Sequence, residues 1–159
     1  MLVKDVKMFY EKTFATLRGI VESFPQDRWL KPHGDEYYIP CRIAYHLAII
    51  IDRTIAGGSK DPDFNAKIPY GPWMEATAAT LPEKKDFLVY FNAVLARAEK
   101  ELAKVDAGSI TAPTDPERPF TGSSELAMMI YCLREIAAHT GELNKMLIEN
   151  GEPDIWIFR

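Results

Sequence analysis

Residues 123–151, "SSELAMMIYCLREIAAHTGELNKMLIENG", decide how this chain is read. Ser123 or Ser124 supplies a hydroxyl to cap a helix, and Glu125 places a carboxylate in its first turn. Apolar residues then recur at helical spacing as far as Asn150, and Gly151 offers a stop. The spacing predicts one long helix over 123–150. Inside it, Glu135 and His139 stand four residues apart. A helix brings such a pair to about 6 Å on nearly the same face. The stretch therefore gives both an architecture, long amphipathic helices, and a question about chemistry.

Three further segments read the same way. Val6, Phe9, Phe14, Leu17, Ile20, Val21 and Phe24 predict a helix over 2–24, stopped by Pro25. Ile39, Ile43, Leu47, Ile50 and Thr54 form the stripe of a second, over 39–56, closed by Gly57-Gly58. Phe87, Tyr90, Phe91, Val94, Leu95, Ala98 and Leu102 mark a third over 82–105. Residues 26–38 and 108–122 carry prolines and glycines and read as loops. The connection "SKDPDFNAKIPYGPWMEATAATLP" is long for a compact domain, with a short helix expected around 73–80. The tail, 152–159, is apolar, and Trp156, Ile157 and Phe158 are expected to dock on the helices or on a partner subunit. Strand alternation, repeats and low-complexity runs are missing. The expectation is an all-α fold, a four-helix bundle, forming one domain over 1–159.

Composition narrows the function classes. The chain has 159 residues and a formal net charge of −4, which argues against nucleic acid and anionic membranes as partners. Cys41 and Cys132 form no CxxC motif and no disulfide framework, which fits a reducing, cytoplasmic setting. The first residues are charged and hold no apolar signal core, and no apolar run is long enough to span a membrane.

Three histidines occur. His33 lies in a loop between Pro32 and Gly34, beside Asp35 and Glu36, and reads as a surface residue. His46 and His139 border the apolar stripes of the second and fourth helices. With Glu135 they make a candidate metal set, because a divalent ion needs neutral imidazoles and ionised carboxylates converging on one point. Zinc, nickel, iron or manganese would suit such ligands. Glu142, three residues after His139, competes for the same place. A different reading stays open. Edge-of-stripe histidines are often hydrogen-bonded core residues, and a Glu-x-x-x-His pair also serves as a surface pair worth a few tenths of a kcal/mol.

At these residues the sequence resembles the DinB-like (DinB/YfiT-like) family of metalloenzymes. "IAYHLAIIIDRTIAG" around His46 is similar to the family's second helix. "EIAAHTGELNKMLIENG" matches its last helix from His139 onward, and "LRGIVESFPQDRWLKP" is similar to the end of its first. The resemblance implies an up-down-down-up four-helix bundle, often a homodimer, with a long crossover between helices two and three. It implies a divalent metal activating water or a small thiol, in hydrolases and thiol-dependent transferases acting on small molecules. One departure matters. Glu135 stands where the family pattern has the first histidine of a His-x-x-x-His pair, so the ligand set becomes His46, Glu135 and His139. The added negative charge favours a harder ion. Arg42, Tyr45 and Glu142 are candidates for contacts around the ion or the substrate. The alternative function is a non-catalytic dimer that binds a small apolar ligand, walled by "IPYGPWMEA".

Overall fold

The computed structural model describes residues 2–114 and 123–156, and among them the structure is all-α. Four long helices carry the fold: α1 (Leu2–Ser23), α2 (Pro40–Thr54), α4 (Lys84–Lys104) and α5 (Glu125–Glu149). A single short turn of helix, α3 (Phe64–Lys67), interrupts the connection between α2 and α4. The local signals act as expected at several ends. Pro40 opens α2 with its φ already set, after Ile39 in extended backbone. At α5, Ser124 is the cap that is used: its hydroxyl accepts from the Ala127 amide at 3.3 Å. Gly151, at φ +87°, turns the chain out of α5.

Side-chain ties fix the relative directions of the helices. Lys84 at the start of α4 donates to the carbonyls of Glu22 and Phe24 at the end of α1, at 2.8 and 2.6 Å. Lys7, near the start of α1, donates to Ala103 O near the end of α4 at 2.9 Å, so these two helices run antiparallel. The Tyr10 hydroxyl donates to Met129 O at 2.7 Å, joining the early parts of α1 and α5. On α2, Thr54 Oγ1 lies 3.0 Å from Cys132 Sγ, while His46 faces His139 seven residues further along α5. Thus α2 and α5 run antiparallel. Cys41 meets Pro82 O and Asp52 meets Arg97, so α2 and α4 run the same way.

The buried faces are those with helical spacing. Tyr10, Phe14, Leu17 and Ile20 from α1, Leu47 and Ile51 from α2, Phe87, Phe91 and Leu95 from α4 and Ile136, Leu143 and Leu147 from α5 fill the interior. Trp29 enters from the first connection and is fully buried, its ring 5.2 Å from Phe87 and 6.2 Å from Phe24. Rings at these separations add to the area they bury.

Some sequence expectations need correction. The second helix is shorter than 39–56, and the third starts at Lys84 rather than at Pro82. The helix expected around 73–80 is only a 3-10 turn over Trp73–Glu75. There, Thr80 Oγ1 accepts from the Thr77 amide at 2.9 Å, and threonine hydroxyls that bond local backbone compete with helix. Helix α3 was not anticipated. It follows Asp61, whose carboxylate accepts from the Asp63 amide at 3.0 Å and turns the chain. The tail is tied down by residues before those expected to dock: Asn144 ties Asp154 and the Ile155 amide at 2.7 and 3.0 Å, and Ile155 packs on the core by Gly19. Trp156 remains partly exposed, and Ile157 and Phe158 lie outside the described residues.

Asn144 is buried and makes both tail contacts. Asn144→Ala should therefore lower the unfolding free energy by about 1–3 kcal/mol, measured by urea titration. A change within error would mean that the tail contributes nothing to the fold.

Candidate metal centre

The antiparallel contact of α2 with α5 sets His46 opposite Glu135 and His139. One ligand atom from each of the three lies within 4.8 Å of the others, and all three side chains are half-buried. The imidazoles meet edge to face, with centroids 5.0 Å apart. His139 Nε2 stands 4.0 Å from Glu135 Oε2. The sequence-predicted set is thus brought together, on side chains rooted in two rigid helices.

The surrounding groups hold these side chains in useful states. Glu142 contacts His139 Nδ1 at 2.7 Å, leaving Nε2 directed towards Glu135. A carboxylate on one ring nitrogen orients an imidazole and raises the basicity of the other nitrogen. Glu142, expected as a competing ligand, therefore sits behind His139 instead. Arg134 binds Glu135 Oε1 at 2.7 Å and leaves Oε2 on the His139 side. Burial pushes the His46 pKa down to about 4, the neighbouring His139 adds to the shift, and Glu135 opposes it. His46 is therefore neutral at physiological pH, the form that binds a metal. Its Nδ1 is buried and has no hydrogen-bond partner among the described residues. A buried orphan nitrogen is costly, and a ligated ion is one way to satisfy it. The residues present fit a divalent ion.

Beside the ligands is a cavity of about 10 Å³, lined by Tyr37, Arg42, Ile43, His46, Trp73 and His139. That is room for one water-sized group. Trp73 forms the outer wall, its ring centroid 3.9 Å from that of His46. Arg42 donates to Trp73 O and Met74 O, at 3.2 and 2.6 Å. Tyr45, also a candidate from the sequence, does a different job. It is buried, and its hydroxyl donates to Gly71 O and accepts from the Tyr70 amide, tying the same connection to α2. His33 pairs with Glu149 and takes no part in the site. Both cysteines are free and buried. Burial raises the Cys41 thiol far above its usual range and Cys132 to about 11, which keeps them protonated and inert. Trp73 and Tyr37 are the wall residues that periodicity did not single out, and their only signal was the aromatic content of the connections.

No family model, curated protein or solved structure matches the chain. No described helix is long and apolar enough to cross a membrane.

The depressed His46 pKa has a consequence for stability. Above pH 6.5 the histidine is neutral in both the folded and unfolded chains. As pH falls from 6.5 towards about 4, the unfolded chain takes up a proton that folded His46 refuses, so stability is lost across that window. The loss is on the order of 3 kcal/mol at most. Urea unfolding of metal-free protein at pH 7 and pH 4.5 should show a larger drop for wild type than for His46→Gln. Equal drops would mean that His46 is not held neutral by its surroundings.

Proposed function

We propose that the protein is a metal-dependent enzyme of the DinB-like type, a hydrolase or thiol-dependent transferase acting on a small molecule. His46, Glu135 and His139 hold the ion. The observation that carries this is the convergence of three ligand atoms within 4.8 Å from facing helices, with His46 neutral and its Nδ1 unsatisfied. A divalent ion there supplies Lewis acidity, activating water or a thiol. The chain's own contribution is orientation and exclusion. Glu142 fixes the His139 ring, Trp73 and Ile43 keep the cavity small, and Arg134 holds Glu135 from outside. The same reading takes the four long helices as an up-down-down-up bundle, with the chain from α2 to α4 as its crossover. The pairwise directions of the helices support it. It also carries a cytoplasmic homodimer.

A second reading is favoured by a separate observation. A cavity of about 540 Å³ opens where α2 and α4 end and α5 begins, away from the expected wall at 68–76; Ile55, Leu102, Val105, Ile110, Met128 and Met129 line it together with Lys60, Glu101, Lys104 and Glu125. That volume suits a small apolar ligand, as a binding protein without catalysis would need.

Elemental analysis separates the two. Protein purified without chelator or metal-binding tag should carry about one equivalent of zinc, iron, nickel or manganese, and His139→Ala should carry none. If wild type stays metal-free even after reconstitution, the enzyme reading falls and the apolar-ligand reading takes its place.

A further inference from the structure

Arg42 is an odd choice for its position. It lies in the first turn of α2, at the positive end of the helix dipole, where cations are disfavoured. That turn contains no acidic residue, and the helix has no side-chain cap. No carboxylate pairs with Arg42 among the described residues. A cation at a helix N-terminus with no carboxylate partner, in a chain of net charge −4, marks a place that favours an anion.

Its location ties that preference to the metal ligands. Arg42 is four residues before His46 on α2, so the two share a face about 6 Å apart, and apolar atoms of both line the small cavity. The guanidinium is braced in position, 4.6 Å over the Tyr37 ring and 5.9 Å from that of Trp73. Nε and Nη2 donate to the carbonyls of Trp73 and Met74, and Nη1 has no partner among the described residues.

We propose that Arg42 is the anion-positioning residue of this site and that the substrate carries a carboxylate about one helical turn from the bond that reacts. This rests on the metal reading above. A singly charged carboxylate suits the place better than a phosphate dianion, because Glu135 and Glu142 already put two acidic groups beside His139. The proposal also accounts for access. Trp73 covers His46, and the cavity admits only a water-sized group, so a substrate has to displace the indole. The N–H groups that hold the Trp73 and Met74 carbonyls, Nε and Nη2, are the ones a carboxylate would take, through charge-assisted bonds that neutral carbonyls do not match. Binding the anion thus loosens the cover from His46.

The test uses full-length protein labelled with fluorotryptophan and read by fluorine NMR, with the Trp73 signal assigned by its loss in Trp73→Phe. Zinc-loaded and metal-free protein are each titrated with sodium acetate, sodium chloride keeping the ionic strength constant. The expected result is a saturable shift confined to the Trp73 signal. It should be weakened in Arg42→Lys, which keeps the charge but not the fork, and lost in Arg42→Gln. Thermal melts and the unmoved signals of Trp29 and Trp156 check that both variants are folded. No shift in wild type, or an equal shift in Arg42→Gln, overturns the proposal. A shift that requires zinc and survives Arg42→Gln means that acetate binds the ion, which overturns the role of Arg42 and leaves the metal reading standing. If zinc does not bind, the metal reading fails on its own. An Arg42-dependent shift in metal-free protein then still supports the anion site.

Discussion

The antiparallel contact between α2 and α5 is the constraint on which the candidate site depends. It is pinned by Thr54 against Cys132 towards one end and by the two imidazoles nearer the other. A helix that slips by one turn moves its side chains about 5.4 Å, more than the spread of the three ligand atoms. The buried apolar side chains beside these contacts, Ile136 and Leu143 on α5 and Leu47 and Ile51 on α2, hold the same register. The site therefore depends on core packing being accurate where the histidines emerge.

Electrostatics then sort the polar residues into roles. Desolvation keeps His46 uncharged at neutral pH. His139 has a carboxylate on either side, Glu142 in contact with Nδ1 and Glu135 facing Nε2. The arginines stand at the edges, Arg134 on Glu135 and Arg42 against the aromatic rings of the connection. Acidic groups thus sit by the ligands while cations ring the approach.

Much of this was legible in the sequence, for identifiable reasons. The four long helices were readable because each buries one stripe, and a stripe with helical period leaves a local record. His46 and His139 were readable because they border those stripes, and Glu135 because it stands one turn before His139. Helix ends were less clear. Gly57-Gly58 was read as the stop of α2, yet the helix ends at Thr54, three residues earlier. The connection failed most. Trp73 reaches His46 from 27 positions along the chain, through backbone with no period to follow, so nothing local announced the contact. The residues around 73–80 looked able to form helix, but their fate was set by hydroxyl–backbone bonds and by the need to lie along α2.

That connection has a cost in chain entropy. Two neighbouring helices that run the same way cannot be joined by a tight turn, so the chain must travel back along α2 before α4 can start. Closing a loop of about 30 residues instead of one of 4 costs roughly 2 kcal/mol more, by the logarithmic scaling of loop closure. The return path recovers order through a few aromatic anchors, Phe64 against Gly58, Tyr70 against Tyr45 and Trp73 against His46. Topology and chemistry are therefore linked: the segment that lets the chain reverse is also the wall of the cavity, and a shorter route between α2 and α4 would leave His46 open to bulk water.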